Sequence, residues 1–213
     1  ISDVHISHCS MKNVWREGIK IECSEGGNIS DINIQDITMN DVSRPIFILL
    51  NNRFEPDDLG SSLELDHIPE IGTMSDIIIS DIIASDSDEM RNTHYRFDDD
   101  VMGSPKFAGI RIDAEKNHPI RNLTLRNISY KFIGGVKLSD IPNEYPEVID
   151  KLIDCDTLSS ENYYPDWSRA SFMDIRNIIG LNVRNIQCFA IYPDERRGII
   201  TENVQFSDNS DNL

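Results

Sequence analysis

ISDVHISHCSM (Ile1–Met11) returns as ISDINIQDITM (Ile29–Met39), with five identities in eleven positions and Val/Ile and Ser/Thr among the changes. One short unit is therefore copied along the chain. Its pattern runs apolar, any, Asp/Asn, apolar, any, apolar, any, polar turn residue, apolar. It recurs as MSDIIISDIIA from Met74, as IRNLTLRNISY from Ile120 and more loosely as IIGLNVRNIQC from Ile178. Successive starts lie 28, 45, 46 and 58 residues apart, so later units carry inserted loops on a fixed frame.

Each copy reads as a strand. Val4 and Ile6, Ile32 and Ile34, Ile77 and Ile79, Leu123 and Leu125, and Leu181 and Val183 stand two apart with polar residues between them, whereas a helix needs apolar residues three and four apart. His8, Asp36, Asp81, Asn127 and Asn185 then precede one more apolar residue. Asn and Asp tolerate left-handed backbone angles and bond their own main chain, so this position bends the strand. A second strand type, opened by Gly or Pro, follows: GIKIEC (Gly18–Cys23), PIFILL (Pro45–Leu50), GIRID (Gly109–Asp113), GGVKL (Gly134–Leu138) and GIITENV (Gly198–Val204).

Strand, corner, strand and loop, repeated, describe one turn of a coil whose equivalent strands stack side by side. The expected fold is all-β, a right-handed parallel β-helix or solenoid, over 1–213 as a single domain with inserted loops at about 53–73, 84–107 and 139–170. A β-sandwich would show Asn-Gly or Asp-Gly hairpin signals, which are absent, and leucine-rich repeats would need a shorter, stricter leucine period. The chain opens inside a strand pattern, and an uncapped first coil exposes a pairing edge, so N-terminal coils of the same protein are expected to precede it.

Composition narrows the partners. The 213 residues carry 20 Lys and Arg against 37 Asp and Glu, a formal net charge of −17, which repels phosphate backbones and makes nucleic acid a poor partner. No apolar run is long enough for a membrane span, and no signal peptide is visible. Cys9, Cys23, Cys155 and Cys188 lack the CxxC spacing of zinc or redox sites; Cys9 and Cys188 read as small buried side chains. Three glycosylation sequons, at Asn28, Asn122 and Asn127, fall within the repeat's own Asn/Ser pattern and read as coincidence.

The stretch GIKIECSEGGNISDINIQDITMNDVSRPIFILLNNR (Gly18–Arg53) resembles the C-terminal half of polygalacturonase-type glycoside hydrolases, family 28, in its bacterial branch. Gly26-Gly27, Ile37 to Met39, Val42, Pro45-Ile46 and Asn52-Arg53 carry the likeness. Gly109 to Gly135, the run Glu144-Tyr145-Pro146-Glu147 and the strand from Arg176 to Asn185 extend it over most of the chain.

The resemblance implies hydrolysis of glycosidic bonds in a pectin-like polysaccharide or oligosaccharide by two carboxyl groups set apart to admit a water. It also implies a secreted, periplasmic or cell-surface location and no cofactor. The family's Asn-x-Asp, Asp-Asp and Gly-His-Gly motifs are not found here in their family context, the Asp-Asp of RFDDDVM lacking the flanking residues of the family motif, so the catalytic residues are unassigned and are expected in the preceding coils.

The family's Arg-Ile-Lys triplet, which holds a substrate carboxylate, aligns with Lys20-Ile21-Glu22. Lys20, Glu22 and Arg53 are thus the candidate substrate-binding residues. Glu22 reverses a charge and disfavours an ordinary polygalacturonate substrate. Lys20 and Glu22 share the outward face of their strand, and a plain surface ion pair is the competing account. The runner-up function is a non-catalytic carbohydrate-binding or structural β-helix. A pectate lyase is a third, but its calcium aspartates and catalytic arginine have no place.

Other groupings are weaker. Asp98, Asp99 and Asp100, with Asp86, Asp88 and Glu89, lack the EF-hand spacing and read as a solvated acidic loop, so no metal site is assigned. His5 and His8 are three apart, which on a strand places them on opposite faces; His67, His94 and His118 have no partner spacing. Tyr163, Tyr164, Trp167 and Arg169, and Phe54 after Arg53, are saccharide contacts by residue type, with coverage of the coil flank as the blander account.

Overall fold

The computed structural model describes residues 1–52, 54, 59, 66–87, 109–140, 170–208 and 210. It is nearly all β: β1 (Ser2–Cys23), β2 (Asn28–Leu50), β3 (Thr73–Ser85), β4 (Ile110–Ala114), β5 (Ile120–Gly134), β6 (Ala170–Tyr192) and β7 (Arg197–Phe206). Among the described residues the one helical element is a single 3-10 turn, Leu138–Asp140, and no helix is long and apolar enough to cross a membrane.

Among the described residues the pairings between these seven strands are all parallel, and they follow the repeat. Val4 pairs with Ile32, Ile32 with Ile77, Ile77 with Leu123 and Leu125 with Val183, so the register offsets reproduce the repeat spacings. The strands form one sheet in the order β1-β2-β3-β5-β6-β4, with β7 on β6 and a further β2–β4 pairing. The pairings β2–β3–β5–β6–β4 thereby close a ring of five strands. Closure is possible because β2 and β6 are long and bent: the first part of β2 meets β3 and its last part, from Ile46, meets β4.

The bends sit where polar residues interrupt the alternation. Among the described residues every non-glycine with positive φ is Asp or Asn, save His8. Asp31, Asp36 and Asp41 in β2 turn five residues apart, at φ 55°, 58° and 57°. The earlier Asp/Asn of each repeat (Asp3, Asp31, Asp76, Asn122) is therefore a corner as well as the later one. Equivalent corner side chains bond across adjacent strands: Asn122 Nδ2 donates to Asp76 at 2.9 Å, Asn127 to Asp81 at 2.8 Å and Asn185 to Asn127 at 3.0 Å. The left-handed angle that most side chains resist is thus tied down by a polar ladder.

Inside the ring, aliphatic columns form the core. Ile37, Ile82 and Ile128 make one column, and Ile46, Ile110 and Met173 another, all buried. Tyr130, Phe132 and Phe172 stack with centroids 5.9 to 6.5 Å apart, and the Tyr130 hydroxyl donates to the Ser43 carbonyl at 3.1 Å. Gly109 leaves room for this ring, since a Cβ there would collide with Tyr130 Cε1.

One expected strand is corrected. GGVKL is not the second strand of its repeat, because Gly134 and Gly135 turn the chain at φ 70° and 84°. Val136 then exchanges bonds with the β6–β7 turn, its carbonyl accepting from Glu195 N–H at 2.9 Å. The strand that fills this place is the start of β6, where Met173 and Ile175 meet Ile110 and Ile112.

Candidate functional site

The strands that follow the corners turn alternate side chains outward. Ile46, Ile48, Ile110, Ile112, Met173 and Ile175 belong to the core cluster, so the residues between them face the other way. At one register position stand Lys20, Phe47, Arg111 and Asp174; at the next along the strands stand Glu22, Leu49 and Asp113, with Arg176 two residues on from Asp174. The result is an outer face carrying three charge–Ile–charge triplets: Lys20-Ile21-Glu22, Arg111-Ile112-Asp113 and Asp174-Ile175-Arg176.

Lys20 and Glu22 lie together as expected from their spacing. Their ammonium and carboxylate form an ion pair, with side chains 34% and 20% exposed. Glu22 also accepts from the Ser24 hydroxyl at 2.9 Å. Glu22 thus has one partner in its own strand and another just past its end, and Lys20 presents to solvent a charge already balanced. Exposure at this level makes the pair worth little to stability.

The charges of the other two triplets are buried. Arg111 lies 3.4 Å from Asp113, and Arg176 lies 3.2 Å from Asp174 and 3.9 Å from Glu202 of β7. Burial, ahead of the opposing pull of Arg111 and Arg176, pushes the Asp113 carboxyl up to about 7. Beside them Arg44 pairs with Glu17 at 3.2 Å and lies 5.3 Å from the centre of the Phe47 ring. A guanidinium over an aromatic face is a stabilising arrangement in a desolvated place.

Arg53 lies outside the described residues, as do Asp88 to Asp100, His94, Cys155 and the segment from Glu144 to Arg169. Phe54 is half-buried and its N–H donates to the Asn52 side chain at 3.0 Å. His8 is on the outside of a corner, its Nε2 3.2 Å from Asp36. Cys23 is buried with its Sγ on the Gly26 and Gly27 carbonyls, and burial raises its thiol; Cys9 is half-buried and Cys188 is exposed, so neither is the small buried side chain that its place in the strand pattern suggested. Among the described residues no three His, Cys, Asp or Glu side chains converge as a metal-ligand set.

Sequence reasoning passed over Arg111, Asp113, Asp174 and Arg176. A signal existed: opposite charges flanking a single isoleucine, repeated at the register of Lys20 and Glu22. The Asp174 triplet escaped because it precedes the recognisable repeat at Ile178. No family model, curated protein or solved structure matches the chain.

Proposed function

We propose that the chain is a stack of coils of a right-handed parallel β-helix and serves in a polysaccharide-degrading glycoside hydrolase of the polygalacturonase type, secreted, periplasmic or on the cell surface. In this reading the outer face of β1, β2, β4 and β6 is one wall of the groove that receives the sugar chain. Three things favour the coil: parallel pairing of the seven described strands, register offsets equal to the repeat spacings, and polar ladders at equivalent corners. The single observation that carries the functional reading is Lys20 and Glu22, an outward pair of opposite charges where the family it resembles holds a substrate carboxylate.

The Lys20–Glu22 contact also sets the chemistry of the sugar. A cation already neutralised in its own strand gives a uronate little attraction, while hydroxyl groups can bond to either member. Neutral or sparsely charged oligosaccharides are therefore the substrates to try first. Calorimetric titration of the chain with neutral pectic oligosaccharides and with oligogalacturonates tests this: the first should bind more tightly, and Glu22→Lys should reverse the order. Failure of both sugars to bind, or an unchanged order in the variant, removes this face from the site.

The internal neutralisation of the Lys20–Glu22 pair favours a second reading, a carbohydrate-binding or structural β-helix without catalysis. Reducing-sugar release separates the two. A chain that binds oligosaccharides and cleaves none is the binding module.

A further inference from the structure

The four buried charges on the outer face of β4 and β6 do not share their compensation evenly. Arg111 and Asp174 are register partners across the two strands, and Arg176 holds Asp174 through Nε within its own strand. Asp174 thus has one guanidinium beside it and another opposite. Arg176 is drawn in addition toward Glu202 of β7. Asp113 receives one long bond, from Arg111 at 3.4 Å to Oδ2; its Oδ1 accepts no hydrogen bond, and the residue is 1% exposed. On its other side β2 offers Leu49 opposite Asp113 and Phe47 opposite Arg111, neither of them charged.

A carboxylate taken out of water needs several charge-assisted bonds to offset its lost hydration, and one that collects a single long bond is cheaper as the neutral acid. We propose that Asp113 is a proton-operated switch on the outer face of β4. Neutral, it makes no demand on Arg176, which stays with Asp174 and Glu202, and the face stays closed. Ionised, it draws on Arg111 and Arg176 and loosens β4 from its neighbours. The carboxyl's displacement to about 7 agrees with this, since it places the change near neutrality, where ordinary carboxyls have long since ionised. The switch does not depend on the saccharide reading, and sugar binding plays no part in its test.

The experiment is a carbon-13 NMR titration of the aspartate side chains in the full chain, with hydrogen exchange read alongside. One carboxyl should titrate with a midpoint between about 6 and 8, the Nε signals of Arg111 and Arg176 should move with it, and Asp113→Asn should abolish that midpoint. Exchange at the β4 amides, corrected for the intrinsic effect of pH, should quicken about tenfold relative to β3 as the group ionises. If Asp113→Asn does not fold, the wild-type titration and its arginine signals decide alone. Aspartates that all titrate below about 5, a midpoint that survives in Asp113→Asn, or β4 exchange that stays in step with β3 would each overturn the proposal.

Discussion

At the scale of single residues, the corners carry the chain's geometry. Asp81 sits at φ 58° in β3 and accepts from Asn127 on the neighbouring strand. Asp81→Ala loses both the residue type that tolerates this angle and the rung of the ladder, and should cost about 1–2 kcal/mol, read from the urea midpoint. Asp81→Asn keeps the angle and an accepting oxygen and gives up only what ionisation adds, so at neutral pH the midpoint should fall by less than in Asp81→Ala. These corners were legible in the chain because Asp and Asn recur at fixed places in each repeat. The buried charges were not: Arg111 and Lys20 occupy equivalent outward positions, yet one is buried and the other exposed. What lies over a strand face is set by distant segments, and alternation of residue types is blind to it.

At the scale of the element, a strand here is stabilised chiefly by its place in a column. Ile79 in β3 is buried between Ile34 of β2 and Leu125 of β5, whereas Val4 in β1 has, among the described residues, a strand neighbour on one side only. Ile79→Ala should therefore cost about 2–5 kcal/mol, and Val4→Ala about 1 kcal/mol or less, because a cavity is penalised where nothing can collapse into it. Thermal melts of the two variants check the difference. Tyr130→Phe keeps the aromatic stack but strips the Ser43 carbonyl of its donor, at about 1 kcal/mol. Period-two alternation made the strands of each repeat readable, and GGVKL shows where it misleads. Lys137 and Leu138 continue an alternation that the two preceding glycines have already turned out of the sheet.

At the scale of the whole molecule, two sets of carboxyls pull stability in opposite directions with pH. Asp76 and Asp81 are held below the usual carboxylate range, Asp76 by the Ser75 hydroxyl and then the Asn122 amide, Asp81 chiefly by the Asn127 amide. Their contribution is present above the unfolded value and is lost as pH falls through the folded one. Asp113 is raised, so its contribution is complete below the unfolded value of 3.8 and is lost as pH climbs to about 7. At 1.36 kcal/mol per unit the change for a group this buried is at most a few kcal/mol, enough to shape the profile of one domain. The net charge of −17 adds a general repulsion that also grows with pH, but salt screens it, whereas a buried carboxyl is screened far less. Stability measured by denaturant against pH should therefore peak on the acid side of neutrality and decline toward pH 7, even with salt at about 0.5 M. Asp113→Asn should flatten that decline and leave the acid limb in place, while Asp81→Asn should soften the acid limb and leave the decline. A wild-type profile that rises steadily from pH 5 to pH 8 in high salt would show that Asp113 is ionised throughout.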